Sequence, residues 1–224
     1  MGFRDRAEAG RRLAEALREI ARNAPFERPV AVALPRGGVP VGFEVARELD
    51  IPLDVLIVRK IGAPGHAELG LGALVDGSPP QVVLNPAVME MVSPPPAYVE
   101  AETQRQIEEI ERRRKAYIGD RPPLATRGRT VILVDDGIAT GGTVRAALRG
   151  LAQARPARLV LAVPVAPRDI LPVLRQQADE VVCLETPEPF IAVGLHYEDF
   201  RQTTDEEVID LLAKARGFGR EGAP

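Results

Sequence analysis

Short apolar runs that stop abruptly at charge or glycine recur along this chain, separated by stretches with helical periodicity. Leu13, Ala16, Leu17 and Ile20 recur at the i, i+3, i+4, i+7 spacing of one helix face, which predicts an amphipathic helix near the N-terminus. Residues 30–34 form a continuous apolar run closed by Pro35-Arg36-Gly37-Gly38, and a helical stretch then continues to Leu49. Residues 53–60, LDVLIVRK, read as one buried strand ending in charge. Two β-rich pieces at 69–75 and 81–84, joined by the turn DGSPP, predict a hairpin. Ser93 and three prolines precede a long polar helix over about 97–117 that ends in Arg112-Arg113-Arg114-Lys115, read as a solvated helix face. A Pro-rich loop, 120–129, leads into the apolar run 131–134. A helix (143–154), a strand (159–165), a helix (168–177) and a strand (180–184) follow, then an irregular segment and a closing helix to about 216.

Apolar runs alternating with amphipathic helices predict an α/β fold, a central parallel sheet flanked by helices on both faces. Such sheets bind ligands beyond the carboxyl ends of their strands. Three strand ends carry glycine or charge, at 35–38, 59–60 and 135–143, and they are therefore read together as one site.

Composition narrows the class. The chain has 224 residues, 45% hydrophobic and 27% charged, enough for one sizeable core and outside the disordered range. It reads as a single domain over 1–224, with a helical insertion at about 86–119. A net charge of −3 gives no general reason to bind nucleic acid or an anionic membrane. The N-terminus lacks the pattern of a signal peptide, and no apolar run is long enough to span a bilayer. With one cysteine, Cys183, in an apolar run, no disulfide framework exists, and a cytoplasmic protein is expected.

The chemistry concentrates at the apolar run 131–134. Val131-Ile132-Leu133-Val134 passes straight into Asp135-Asp136 and then Gly137-Ile138-Ala139-Thr140-Gly141-Gly142-Thr143. Glycines allow a close approach of backbone to phosphate, and a helix N-terminus presents unpaired N–H groups. The spacing approaches a Walker A loop but lacks its lysine, and no dinucleotide fingerprint is present, since Gly70-Leu71-Gly72 has no third glycine. An ordinary strand-turn-helix connection with Thr143 as N-cap is the alternative reading, which the adjacent acids weaken. Two like charges at a strand end are expected to be exposed, where they accept hydrogen bonds from a vicinal diol or face a metal-bound water. A diol close to a phosphate cradle describes a ribose 5-phosphate.

Residues 131–143 resemble the PRPP-binding motif of the type I phosphoribosyltransferases: four apolar residues, two acids, then a small, hydroxyl-rich loop. The resemblance implies that Asp135 and Asp136 hold the ribose hydroxyls of 5-phosphoribosyl 1-pyrophosphate (PRPP). It also implies that Ala139, Thr140, Gly141, Gly142 and Thr143 cradle its 5-phosphate. Pro35-Arg36-Gly37-Gly38 resembles the family's pyrophosphate loop, giving Arg36 and Gly37 that contact. Lys60 resembles the basic residue at the next strand end that also reaches pyrophosphate. Of 29 basic residues only Lys60, Lys115 and Lys214 are lysines, so an ammonium at that place is notable, although a strand-end lysine that merely snorkels fits as well. Residues 61–74 correspond in place to the family's mobile catalytic loop and contain His66 and Glu68. Mg²⁺ is implied as cofactor, met by Asp135 and Asp136 only through water or ribose hydroxyls.

The C-terminal segment, a hood over about 185–203, is loosely similar to that of the 6-oxopurine enzymes, with Phe190 as the residue stacking on the base. Phe190 as a plain core residue of a small lobe is the competing reading. Three features depart from the purine pattern: the spacing from Phe190 to Tyr197 and Phe200 is shorter, with His196 where the family has an acid; no lysine follows the strand at 159–165; and Ala139 stands where those enzymes carry an acid in the phosphate loop. The long helix is read as a cover over the site or as a subunit contact, so a homo-oligomer remains open. Three functions compete. The first is transfer of ribose 5-phosphate from Mg-PRPP to a nitrogenous base; the others are a PRPP- or nucleotide-binding regulator on the same fold and, more weakly, a sugar-phosphate hydrolase.

Overall fold

A computed structural model describes residues 2–219 apart from Ser78, and of Ala67 and Glu68 the backbone only. The elements in chain order are α1 (Arg6–Asn23), β1 (Val30–Ala33), α2 (Gly38–Leu49), β2 (Leu53–Val55), β3 (Val58–Ala63), β4 (His66–Val75), β5 (Gln81–Leu84), α3 (Pro86–Val92), α4 (Pro96–Ile118), β6 (Thr130–Val134), α5 (Gly142–Gln153), β7 (Arg158–Val165), a short α6 (Leu171–Leu174), β8 (Glu180–Glu185) and α7 (Asp205–Lys214). Strands β2-β1-β6-β7-β8 form a five-stranded sheet in that order, parallel throughout. Strand order reverses between β1 and β6, so their carboxyl ends flank the crevice where such sheets bind ligands.

Alternation along the central strands sorts the core into two layers. Ile132 and Val134 of β6, with Ala31 and Ala33 of β1, pack under α1, α2, α4 and α7 through Leu13, Leu17, Val41, Val45, Ile110 and Leu212. Val131 and Leu133, with Val30 and Val32, pack under α5 through Val144, Ala147, Leu148 and Leu151. All four residues of β6 from Val131 to Val134 are fully buried. Each such side chain contributes roughly 1.5–3 kcal/mol relative to exposure, which fixes the position of the polar residues that follow.

The sequence stretch 53–60 is not one strand. Leu56 N–H donates to Ala33 C=O at 2.9 Å as the last bond along the edge of the parallel sheet, and the chain then leaves that sheet. β3 pairs antiparallel with β4, and β4 with β5, in a separate three-stranded sheet. Residues 61–74 are correspondingly strand and tight turn rather than an open loop, because Ile61, Leu71 and Leu74 are buried against α4. The 69–75 and 81–84 pieces do pair, as expected of a hairpin, although Ser78 in their connection lies outside the described residues. The predicted helix 168–177 shrinks to a 3-10 turn (Arg168–Ile170) and α6, after which Gln176 and Gln177 continue as turns.

The Arg112–Lys115 run divides by direction. Arg112 and Arg113 hold Glu109 on the exposed side of α4, and Lys115 is exposed. Arg114 turns inward, with Nη2 2.8 Å from Asp54 Oδ2 and Nη1 2.5 Å from Asp76 Oδ2, so the run is not wholly solvated. This buried ion cluster ties α4 to both sheets.

Candidate functional site

The acid pair sits where β6 ends. Asp136 N–H donates to Asp135 Oδ1 at 2.9 Å, which turns the backbone and lets two successive carboxylates serve one region. The pair is not exposed as the sequence suggested. Burial pushes the Asp135 carboxyl well above its usual value, and the neighbouring Asp136 charge pushes it the same way. Burial also raises Asp136, opposed by Arg6, whose Nε donates to Asp136 Oδ2 at 2.8 Å. Among the described residues no side chain other than Arg6 is seen to bond either carboxylate, so Asp135 Oδ2 and Asp136 Oδ1 carry no side-chain partner.

Arg6 is the functional candidate that the sequence reading passed over. It lies in the first turn of α1, where the helix dipole disfavours a cation. A basic residue there, beside the N-cap Asp5, was the available signal that something outside the helix holds it. The chain before α1 explains the reach. Phe3 pairs with Tyr197, with Phe3 N–H donating to His196 C=O at 2.8 Å and Glu198 N–H to Phe3 C=O at 2.9 Å. The Tyr197 hydroxyl in turn donates to Asp136 C=O at 2.6 Å. The N-terminal segment, the chain around Tyr197 and the acid pair thus form one connected unit around the apolar cluster of Phe3, Ala9, Val165 and Tyr197.

Gly37 is packed against the same carboxylate. A Cβ at this position would overlap Asp136 Oδ2, so only glycine lets the 35–38 turn and the acid pair approach so closely. Arg36, by contrast, extends towards α7, where Nη1 lies 3.8 Å from Asp205 Oδ1. The same Asp205 oxygen accepts the Tyr117 hydroxyl at 2.7 Å, and burial together with that acid pushes the Tyr117 phenol up to about 12.

After the acids, Ile138 anchors the loop: its side chain is buried and its N–H donates to Val165 C=O at 2.9 Å. Ala139, Thr140, Gly142 and Thr143 are exposed, and Gly141 is buried with φ +74°, serving as the N-cap of α5. The first N–H groups of α5 therefore open to solvent beside the acid pair, a ready anion site. The outer side of this loop borders a cleft of about 530 Å³ whose lining includes Lys60, Asn85, Thr140, Thr143, Arg145 and Arg149. Lys60 thereby borders the loop. His66 is exposed at the start of β4, and the Glu68 side chain lies outside the described part.

In the hood, Phe190 is half-buried and stacks on His196, with ring centroids 5.5 Å apart at 24°. It packs at the edge of the Phe3–Tyr197 cluster. Ile191 and Leu195 beside it are largely exposed. Among the described residues no group of three or more His, Cys, Asp or Glu is arranged to hold a metal ion, and no helix is long and apolar enough to cross a membrane.

A family profile described as "Phosphoribosyl transferase domain" matches residues 4–199. Two Mycobacterium tuberculosis proteins provisionally named phosphoribosyl transferases, MT0597 (strain CDC 1551 / Oshkosh) and Rv0571c (strain H37Rv), are each 45% identical over 223 residues. The match covers 99% of this chain and 49% of theirs, so the chain spans about half the length of these curated relatives. The crystal structure of TT1426 from Thermus thermophilus is 45% identical, covers 97% of this chain and 100% of its own, and superposes with a TM-score of 0.83.

Proposed function

The chain belongs to the phosphoribosyl transferase domain family, and on that basis we propose that it transfers the ribose 5-phosphate of Mg-PRPP to a nitrogenous base with release of pyrophosphate. The carrying observation is the juxtaposition at the end of β6 of two carboxylates, each with one uncommitted oxygen, and an exposed Gly-Thr loop opening α5. Asp135 and Asp136 accept the ribose hydroxyls. The backbone amides of Ala139, Thr140, Gly141, Gly142 and Thr143, with the two threonine hydroxyls, hold the 5-phosphate. Gly37 N–H, Arg36 and Lys60 attend the pyrophosphate, which requires Arg36 to leave Asp205 for the substrate.

Chemistry at the anomeric carbon asks for little covalent help from the protein. As the bond to pyrophosphate loosens, positive charge develops on the ribose ring, and the acid pair beneath it stabilises that charge in a water-poor setting. Arg36 and Lys60 stabilise the negative charge that gathers on the leaving group. The adjacent carboxylates of Asp135 and Asp136 at the end of β6 suit a Mg²⁺ that would be held mainly by substrate oxygens and water, the two aspartates meeting it indirectly. Bound there, the ion would neutralise charge on the departing pyrophosphate. Phe190 stacks on the acceptor base, its ring already presented beside His196. Ala139 supplies no proton acceptor in the loop, which argues for an acceptor that needs no loop acid.

The test is a pyrophosphate-release assay with Mg-PRPP against a panel of purine, pyrimidine and other nitrogenous bases. Release with one base supports the transferase and names the acceptor. Tight PRPP binding without release from any base would replace the transferase by a PRPP- or nucleotide-binding regulator.

A further inference from the structure

Arg6 is held on three sides. Its Nε donates to Asp136 Oδ2 at 2.8 Å, its Nη1 donates to Arg201 C=O at 2.8 Å, and its guanidinium carbon lies 4.0 Å from the centre of the Phe200 ring. Its side chain is 11% exposed. A planar cation fixed by an aromatic face and a backbone carbonyl cannot swing freely, so the carboxylate it grips is fixed too.

The grip decides which oxygens of the acid pair remain for a ligand. Arg6 takes Asp136 Oδ2, and the Asp136 N–H takes Asp135 Oδ1. What remains is one oxygen on each aspartate, Asp135 Oδ2 and Asp136 Oδ1. A vicinal diol offers two O–H donors and needs one acceptor for each. Without Arg6, no other described side chain holds the plane of the Asp136 carboxylate, which the Gly37 backbone meets only by packing.

We propose that Arg6 is a positioning residue for the ribose diol, clamping Asp136 so that each aspartate offers a single oxygen to one hydroxyl. The proposal rests on the phosphoribosyl reading of the site and adds to it a residue outside the sequence motif, placed by the first turn of α1 and held by Phe200 and Arg201. Recognition of the diol is then a joint property of α1 and β6.

Calorimetric titration of the full chain with ribose 5-phosphate and with 2-deoxyribose 5-phosphate tests it, since the two sugars share the phosphate and differ in one hydroxyl. The wild-type chain binds the ribose sugar about tenfold more tightly. Arg6→Ala binds both sugars with the same affinity, that of wild type for the deoxy sugar, because the phosphate loop is untouched. Arg6→Lys, which keeps the charge without the planar grip, recovers only part of the preference, and Arg6→Met, which keeps bulk but has no donor, gives the alanine result should the alanine variant not fold. A purely structural role would weaken both sugars equally and leave their ratio intact; that result overturns the proposal. So does tighter ribose binding by Arg6→Ala, which would mean that Arg6 merely occupies the diol's place. A wild-type chain that binds neither sugar overturns the donor-site reading itself, and the positioning role with it.

Discussion

The Tyr197 hydroxyl donates a 2.6 Å hydrogen bond to the backbone carbonyl of Asp136, joining the C-terminal 185–203 segment to the end of the central strand. Burial holds the Tyr197 phenol well above its usual range, so it remains a donor at any ordinary pH. Tyr197→Phe keeps the ring against Phe3 and Phe200 and leaves a buried carbonyl without its partner. The expected cost is about 1–3 kcal/mol of stability by urea denaturation, with a larger proportional loss in PRPP affinity than in the affinity for a free base.

The acid pair stores a penalty that a neutral variant should release. In the folded chain burial raises Asp135 above its usual 3.8, so the folded state binds more protons than the unfolded state just above that value. Stability therefore falls as pH rises from about 4 through the raised value and stays reduced above it. Asp135→Asn, whose amide oxygen can still accept from Asp136 N–H, is expected to melt at a higher temperature than wild type at pH 7–8. The advantage should vanish near pH 4, while PRPP binding is lost at every pH.

Gly141 carries φ +74°, and a side chain there would also collide with Ile170. Gly141→Val is expected to cost at least about 1–2 kcal/mol from the left-handed backbone alone. Beyond that, it should abolish the rise in melting temperature that Mg-PRPP gives the wild type, since the loop amides can no longer converge on a phosphate.

Arg114 is placed between Asp54 and Asp76, which are 3% and 7% exposed. Removing it by Arg114→Ala leaves two buried carboxylates without that partner, and the cost expected from breaking such a pair is roughly 3–5 kcal/mol. Arg112→Ala, on the exposed side of the same helix, should change stability by less than about 1 kcal/mol. Thermal unfolding of the two variants side by side checks the contrast.

The parallel sheet and the place of the acid pair were legible because local signals agree there: a fully buried β6 must be continuously apolar, and the charge that ends it must lie at the sheet's edge. The break at Leu56-Ile57 was not legible, since both residues are buried, one under each layer, and an apolar run does not reveal which sheet buries it. Arg114 was hidden for a related reason: within a run of four cations only tertiary packing selects the one that points inward. The shortening of the 168–177 helix reflects packing of Leu171 and Leu174 alone, with polar Arg175-Gln176-Gln177 free to end the helix as turns. At the site, the sequence motif led to Asp135, Asp136 and the 139–143 loop as one group. Arg6 is 130 residues from Asp136, and no local pattern couples them.

Calorimetric titration of Mg-PRPP into the full chain tests the central claim most directly. The account predicts one saturable site per chain, lost in Asp136→Asn. A wild-type chain that takes up neither PRPP nor ribose 5-phosphate would contradict it.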